Sequence, residues 1–178
     1  DMIGPSHGII WRSLIGEIME KYRGWVAGET LPKAVIVYDT MWDSTHMIAR
    51  ALGEGLAEGG VDVKLHMLGA SHNSDAIADI LEAKAVLVGS PTINNSVFPS
   101  VASFLAYMKG LKPRLKIGAF FGSYGWGGGA RKDVEAGLEA AGIELLEGDL
   151  EFKFKPSASE LLTAREFGRS LAGKILSG

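Results

Sequence analysis

Three short segments of the sequence carry side chains suited to holding a ligand. Thr40-Met41-Trp42-Asp43-Ser44-Thr45 puts three hydroxyls, Thr40, Ser44 and Thr45, into six residues without a lysine or arginine. Hydroxyls and free backbone amides without a cation suit one terminal monophosphate better than a triphosphate with magnesium. The competing reading is simple N-capping of a helix by Ser44 or Thr45. Ser90-Pro91-Thr92-Ile93-Asn94-Asn95-Ser96 is polar and neutral. Pro91 stiffens it, and Asn94 or Asn95 can take a left-handed backbone. Such a segment offers backbone groups to the edge of a flat heterocycle, or merely caps the helix after it. Gly122-Ser123-Tyr124-Gly125-Trp126-Gly127-Gly128-Gly129 sets two aromatics among five glycines. The glycines allow close backbone approach, and Tyr124 or Trp126 can cover an aromatic ring or else tuck into the core.

Other chemistries find less support. The sequence has no cysteine, which removes disulfides, thiolate metal sites, Fe–S clusters and a thiol nucleophile. His46 reads as a helix-surface residue, while His66 falls on a strand and His72 in a loop. No pair of them has the i, i+4 spacing of helical metal ligands. Ser123 sits in Phe121-Gly122-Ser123-Tyr124-Gly125, which lacks the first glycine of G-x-S-x-G, and no histidine follows it. A hydrolase is therefore discounted. Gly125 to Ala130 matches G-x-G-x-x-A, so an NAD-binding oxidoreductase stays as an alternative, although an aromatic sits inside that turn. The charges from Arg131 to Glu139 read as a solvated helix face.

These segments need a scaffold, and hydropathy periodicity supplies one. Residues 34–38 form a β-branched run suited to a strand buried on both faces. Further strands are expected at 61–68, 85–89 and 115–121, with a long one at 143–154. Helices are expected at 44–58, 74–82, 97–109, 129–141 and 157–176. Ile48, Leu52 and Leu56 repeat every four residues in the first of these, and Pro99 falls near the first turn of the third. Upstream, residues 9–23 suggest an amphipathic helix with Ile10, Leu14, Ile18 and Met19 on one face, and 28–32 a short linker. Alternating strands and helices imply an α/β three-layer sandwich on a five-stranded parallel sheet of order 2-1-3-4-5. Ligands bind such sheets at the carboxyl ends of the strands, in the crevice between the first and third. The three segments follow strands one, three and four, so they surround one crevice. One would hold a phosphate and two would wall a planar ring, which fits FMN.

At this point the residues resemble a known family. Thr40 to Thr45 resembles the hydroxyl-rich phosphate turn of flavodoxins, where Asp43 stands at a position that is glycine in the general pattern; its carboxylate is expected to point outward. More narrowly, Thr40-Met41-Trp42-Asp43-Ser44-Thr45, Ser90-Pro91-Thr92-Ile93-Asn94-Asn95 and Gly122-Ser123-Tyr124-Gly125-Trp126-Gly127-Gly128 look like the flavin domain of flavodiiron proteins. Ser6-His7-Gly8-Ile9-Ile10-Trp11-Arg12 resembles the junction where that family's metallo-β-lactamase-like domain ends. The resemblance implies a flavodoxin-like FMN domain over 33–178, preceded at 1–32 by the tail of another domain and a linker helix. It implies His7 as a ligand of a non-haem diiron centre, but only in a full-length parent whose diiron domain this sequence lacks. The implied function is to relay electrons through FMN to a diiron site that reduces dioxygen or nitric oxide. Implied partners are rubredoxin or a flavin reductase as donor, the missing diiron domain, and a second copy in a head-to-tail homodimer. A stand-alone flavodoxin is the alternative, but it would begin close to residue 33.

Composition sets the remaining bounds. The 178 residues are 47% hydrophobic and 22% charged, and the net charge of -3 gives no basic surface for nucleic acid. No apolar run reaches the roughly 18 residues of a membrane span, and residues 1–8 lack the features of a signal peptide, so a cytoplasmic location is expected. The first residue is not methionine, which suggests an excised piece. Neither ring segment, 90–96 nor 122–129, contains Asp or Glu, while Arg131 and Lys132 follow the glycines. A reduced, anionic flavin is therefore expected to be less disfavoured than beside acidic loops.

Overall fold

A computed structural model describes residues 2–114 and 116–177. The elements run α1 (Ile15–Ala27), β1 (Leu31–Tyr38), α2 (Ser44–Glu58), β2 (Asp62–Met67), α3 (Asn73–Glu82) and β3 (Ala83–Ile93). They continue with β4 (Ser96–Val97), α4 (Pro99–Leu111), β5 (Ile117–Tyr124), α5 (Ala130–Ala140), β6 (Glu144–Leu145), β7 (Glu151–Lys153) and α6 (Ala158–Ser177). The sheet order is β2-β1-β3-β5, with β6 beside the start of β5 and β7 beside its end. Every pairing is parallel except the short β3–β4 hairpin. This is the expected α/β order with two differences. The hairpin adds a strand, and the long strand foreseen at 143–154 is broken into β6 and β7.

Alternation within β1 divides the core. Ala34, Ile36 and Tyr38 face a cluster with Leu52, Leu56 and Phe121, under α2 and α6. Val35 and Val37 face the opposite cluster with Val86, Phe104 and Leu138, under α3, α4 and α5. Each buried Leu or Phe of this kind contributes about 1.5–3 kcal/mol. Helices α2 and α6 approach so closely that a β-carbon on Gly55 would lie 2.0 Å from the Arg165 carbonyl oxygen. Arg165 and Arg169 of α6 both pair with Glu58 of α2.

The amino-terminal segment differs from its expected form. The helix begins at Ile15, after a left-handed Leu14, rather than at residue 9. Trp11 instead pairs with Ile3 in an isolated bridge. Helix α1 buries no residue, and Ile10, Leu14 and Val26 stay exposed. Strand β1 starts at Leu31, inside the stretch expected as linker. The expected start of the fourth strand at residue 115 lies outside the described residues. Among the described residues no helix is long and apolar enough to cross a membrane.

Candidate functional site

A cleft of about 640 Å³ opens at the carboxyl ends of β1, β3 and β5. That volume lies within the range of small-molecule and cofactor sites. Its first wall grows from the turn between β1 and α2. Asp39 is buried where β1 ends; its Oδ1 accepts from the Thr40 amide at 2.8 Å and its Oδ2 from the Ser100 hydroxyl. This fixes the entry to the turn. Thr40 Oγ1 is then buried without a hydrogen-bond partner among the described residues. An unpaired buried hydroxyl is costly unless something else occupies it.

Neither Ser44 nor Thr45 caps α2, contrary to the capping alternative. The cap position is Asp43, left-handed at φ 67°, and its exposed side chain bonds none of the helix amides. The first-turn amides of α2 therefore have no side-chain cap, which leaves the partial positive end of the helix available to an anion. Met41, Trp42 and Ser44 line the cleft, and Trp42 is 86% exposed. Thr45 is fully buried, with Oγ1 3.1 Å from Ser123 Oγ. It ties to the end of β5 from behind Ser123 and does not itself line the cleft.

The second wall is a hairpin, not a loop that merely caps the helix after it. Ser90 to Ile93 continue β3, Asn94 and Asn95 turn at φ 51° and 56°, and β4 returns. Two consecutive left-handed residues are what a two-residue hairpin turn demands, and asparagine tolerates them. Pro91, Thr92, Ile93, Asn94 and Asn95 line the cleft. Ser90 does not: fully buried, its hydroxyl donates to the Pro91 carbonyl at 2.8 Å and accepts from the Phe98 amide at 2.9 Å.

Ser123, Tyr124, Gly125, Trp126 and Gly127 form the third wall. Trp126 is 98% exposed, so it is no core residue. Gly129, at φ 152°, could not carry a side chain, because its β-carbon would lie 2.2 Å from the Asn95 carbonyl oxygen. The hairpin and the glycine turn thus pack backbone to backbone. Thr92 Oγ1 accepts from the Ala130 amide at 3.3 Å, and Asp133 accepts from the Ser96 hydroxyl and the Val97 amide. Those bonds, the Ser96 one first, hold the Asp133 carboxyl below its ordinary value. Asp133 is therefore a structural tie, not part of a solvated face. Gly128 lies outside the cleft, against Glu151.

Two lining residues were not foreseen, Phe154 and Lys155. They follow β7, so extending the strand-end rule to the fifth strand would have found them. In contrast, Arg131 leaves the ring segments. It pairs with Glu135 at 3.4 Å, donates to the Gly148 carbonyl at 3.1 Å and lies over the Phe120 ring. The positive charge expected at the cleft from Arg131 and Lys132 is not there; Lys155 takes that place.

The sequence profile of the flavodoxin family matches residues 36–168. The chain belongs to the flavodoxin family. This flavodoxin-family chain is 50% identical over 174 residues to a nitric oxide reductase of Moorella thermoacetica, covering 97% of the chain and 44% of that protein. Its fold superposes on rubredoxin oxygen:oxidoreductase of Desulfovibrio gigas with a TM-score of 0.91 at 35% identity, covering 99% of the chain and 44% of the other. A flavodoxin from Archaea, 28% identical with a TM-score of 0.74, covers 81% of the chain and 99% of itself. The domain thus spans less than half the length of the curated relatives it matches. Its homologues and structural neighbours include flavodiiron proteins.

The histidines of this flavodoxin-family domain sit apart from the cleft lining. His46 is half-buried rather than a surface residue, and its Nδ1 lies 2.6 Å from the Tyr38 hydroxyl. Burial, then Asp43, raises the Tyr38 phenol above its ordinary value. His66 shares Asp79 with Lys33, and His72 caps α3 by accepting from the Ser74 amide at 3.2 Å. His7 is exposed in the segment between Ile3 and Trp11. A larger apolar groove, about 840 Å³, runs between α1 and the opposite end of the sheet, past Trp11, Trp25 and Leu31. It lacks the hydroxyl turn and the strand carboxyl ends that border the first cleft.

Proposed function

We propose that the cleft holds FMN, and that the chain is an electron-relay domain of a flavodiiron-type oxidoreductase. The observation that carries this is an aromatic-walled cleft lined by Met41, Trp42 and Ser44, from the same turn that holds the orphaned Thr40 hydroxyl and leads to the uncapped amides of α2. Thr40, Ser44 and the first-turn amides would hold the phosphate. Trp42, Tyr124 and Trp126 would wall the ring, with the Asn94-Asn95 hairpin offering backbone groups to its edge. Flavin, when bound, supplies the redox chemistry; the chain binds it, orients it and sets the charge around it. Thr45 and Ser90 act behind this surface as links, and Asp43 and Gly128 beside it as turn residues.

Residues 1–32 are the junction to a preceding diiron domain, and 33–178 the flavin domain. In the whole protein, electrons from rubredoxin or a flavin reductase would pass through FMN to the diiron site, which would reduce dioxygen or nitric oxide. His7 would be an iron ligand there, and a head-to-tail homodimer would bring one subunit's flavin to the other's irons. Support for this reading over a stand-alone flavodoxin comes from the extent of the matches. The long relatives align over 97% to 99% of the chain, which takes in nearly all of residues 1–32, whereas the archaeal flavodoxin covers 81%. Extraction and mass measurement of the cofactor test it. One FMN per chain is the expected result; FAD, a nicotinamide nucleotide or no cofactor after incubation with FMN would overturn it.

A further inference from the structure

Lys155 is the one charged side chain among the described residues that line the cleft. Neither ring segment carries an acid, and Arg131 is engaged by Glu135 and the Gly148 carbonyl. The residue before Lys155 is unusual. Phe154 has φ 63°, a left-handed backbone that strains a side chain of its size. Its amide donates to the Tyr124 carbonyl at 2.7 Å, so the strained residue is tied directly to the third wall. Its ring stands close to Gly125, where an added β-carbon would be 3.6 Å from Phe154 Cε1, and is 58% exposed. Core packing therefore does not account for the strain. On the other side, Pro156 is buried and restricts Lys155 to extended backbone. A strained aromatic and a buried proline thus flank the one lysine that lines the cleft, while Lys153, outside the lining, sets its ammonium 5.3 Å from the Phe154 ring centroid.

We propose that Phe154 and Lys155 form a fourth wall of the cleft, and that Lys155 shifts the relative affinity of the cleft toward the reduced form of the bound ring. The inference rests on the FMN reading above. Uptake of two electrons and one proton leaves the isoalloxazine with one negative charge, whereas the oxidised ring is neutral. An ammonium group at the cleft favours the first form over the second. Lys155 is exposed and screened by solvent, so its effect is modest and salt-dependent.

The test compares affinities of the apo-chain for oxidised FMN and, anaerobically, for dithionite-reduced FMN. In Lys155→Gln the preference for the reduced form falls by about twofold to fivefold relative to the unaltered chain, and further in Lys155→Glu. Lys155→Arg retains it, and Lys132→Gln, outside the cleft, leaves it unchanged. The difference between wild type and Lys155→Gln shrinks in high salt. An identical reduced-to-oxidised ratio in wild type, Lys155→Gln and Lys155→Glu overturns the inference while leaving FMN binding intact. Failure of the unaltered chain to take up FMN in either form overturns both.

Discussion

Thr45 Oγ1 and Ser123 Oγ lie 3.1 Å apart, both buried, and join the turn after β1 to the end of β5 across the intervening strand β3. The bond ties the proposed phosphate wall to a ring wall. Removing one partner leaves the other hydroxyl buried and unpaired. Thr45→Ala and Ser123→Ala are each expected to lower apo-chain stability by about 1–2 kcal/mol. The double variant should cost less than their sum, by about 0.5–1.5 kcal/mol. Urea unfolding of the four chains measures this; strict additivity would mean the hydroxyls do not interact.

Thr40→Val should produce opposite signs in two measurements. The Thr40 hydroxyl is buried and unpaired in the ligand-free chain, so an isosteric methyl should leave it as stable or raise stability by about 1 kcal/mol. The same change removes a donor to a charged phosphate and should weaken FMN binding by about tenfold or more. A loss of apo stability together with unchanged FMN affinity would show that this hydroxyl does not serve the ligand.

Asp43→Gly addresses the other side of the same turn. Asp43 occupies a left-handed position at the N-terminus of α2 and caps nothing. Glycine relieves the backbone strain, but the freer unfolded chain offsets the gain, so stability should change by under about 1 kcal/mol. Loss of a carboxylate beside the phosphate turn should tighten FMN by about twofold to fivefold and leave riboflavin unaffected. Parallel titrations with the two ligands separate these effects.

These contrasts also show what could be read from residue types and what could not. The β-branched run of residues 34–38 and the four-residue spacing of Ile48, Leu52 and Leu56 fixed a strand and a helix, because burial on one or both faces leaves a periodic mark. Asn94-Asn95 carried its left-handed turn openly, as few other residue pairs tolerate one. Side-chain direction left no such mark. Nothing local distinguishes Ser44, which lines the cleft, from Ser90, which bonds only backbone. Arg131 looked free in sequence because its partners, Gly148 and Glu151, meet it only through the fold. Residues 9–14 had helical spacing but are not helical, since Trp11 pairs with Ile3 and Leu14 is left-handed. The place of Phe154 after the fifth strand was legible, but its left-handed backbone was not, because a phenylalanine is a poor guide to a positive φ.

Lys116 makes the fold's stability depend on alkaline pH. It is 3% exposed at the amino end of β5, and its Nζ donates to the Leu81 carbonyl at 3.0 Å. Burial, reinforced by Lys84, lowers its pKa from 10.5 to about 8. The unfolded chain therefore binds more protons between those two values, and stability should rise with pH from about 8 to 10.5. Lys116→Met should flatten that rise and, at pH 7, raise stability by about 1–3 kcal/mol. Chemical unfolding at pH 7 and pH 10 checks both; equal pH dependence in the two chains would place the titrating group elsewhere.

Calorimetric titration of the apo-chain with FMN and then with riboflavin tests the central claim most directly, because the two ligands differ only in the phosphate. The hydroxyl turn and the amides of α2 predict one FMN per chain, bound at least about tenfold more tightly than riboflavin. Equal affinity for both ligands, or no heat with either, would contradict the phosphate-and-ring cleft.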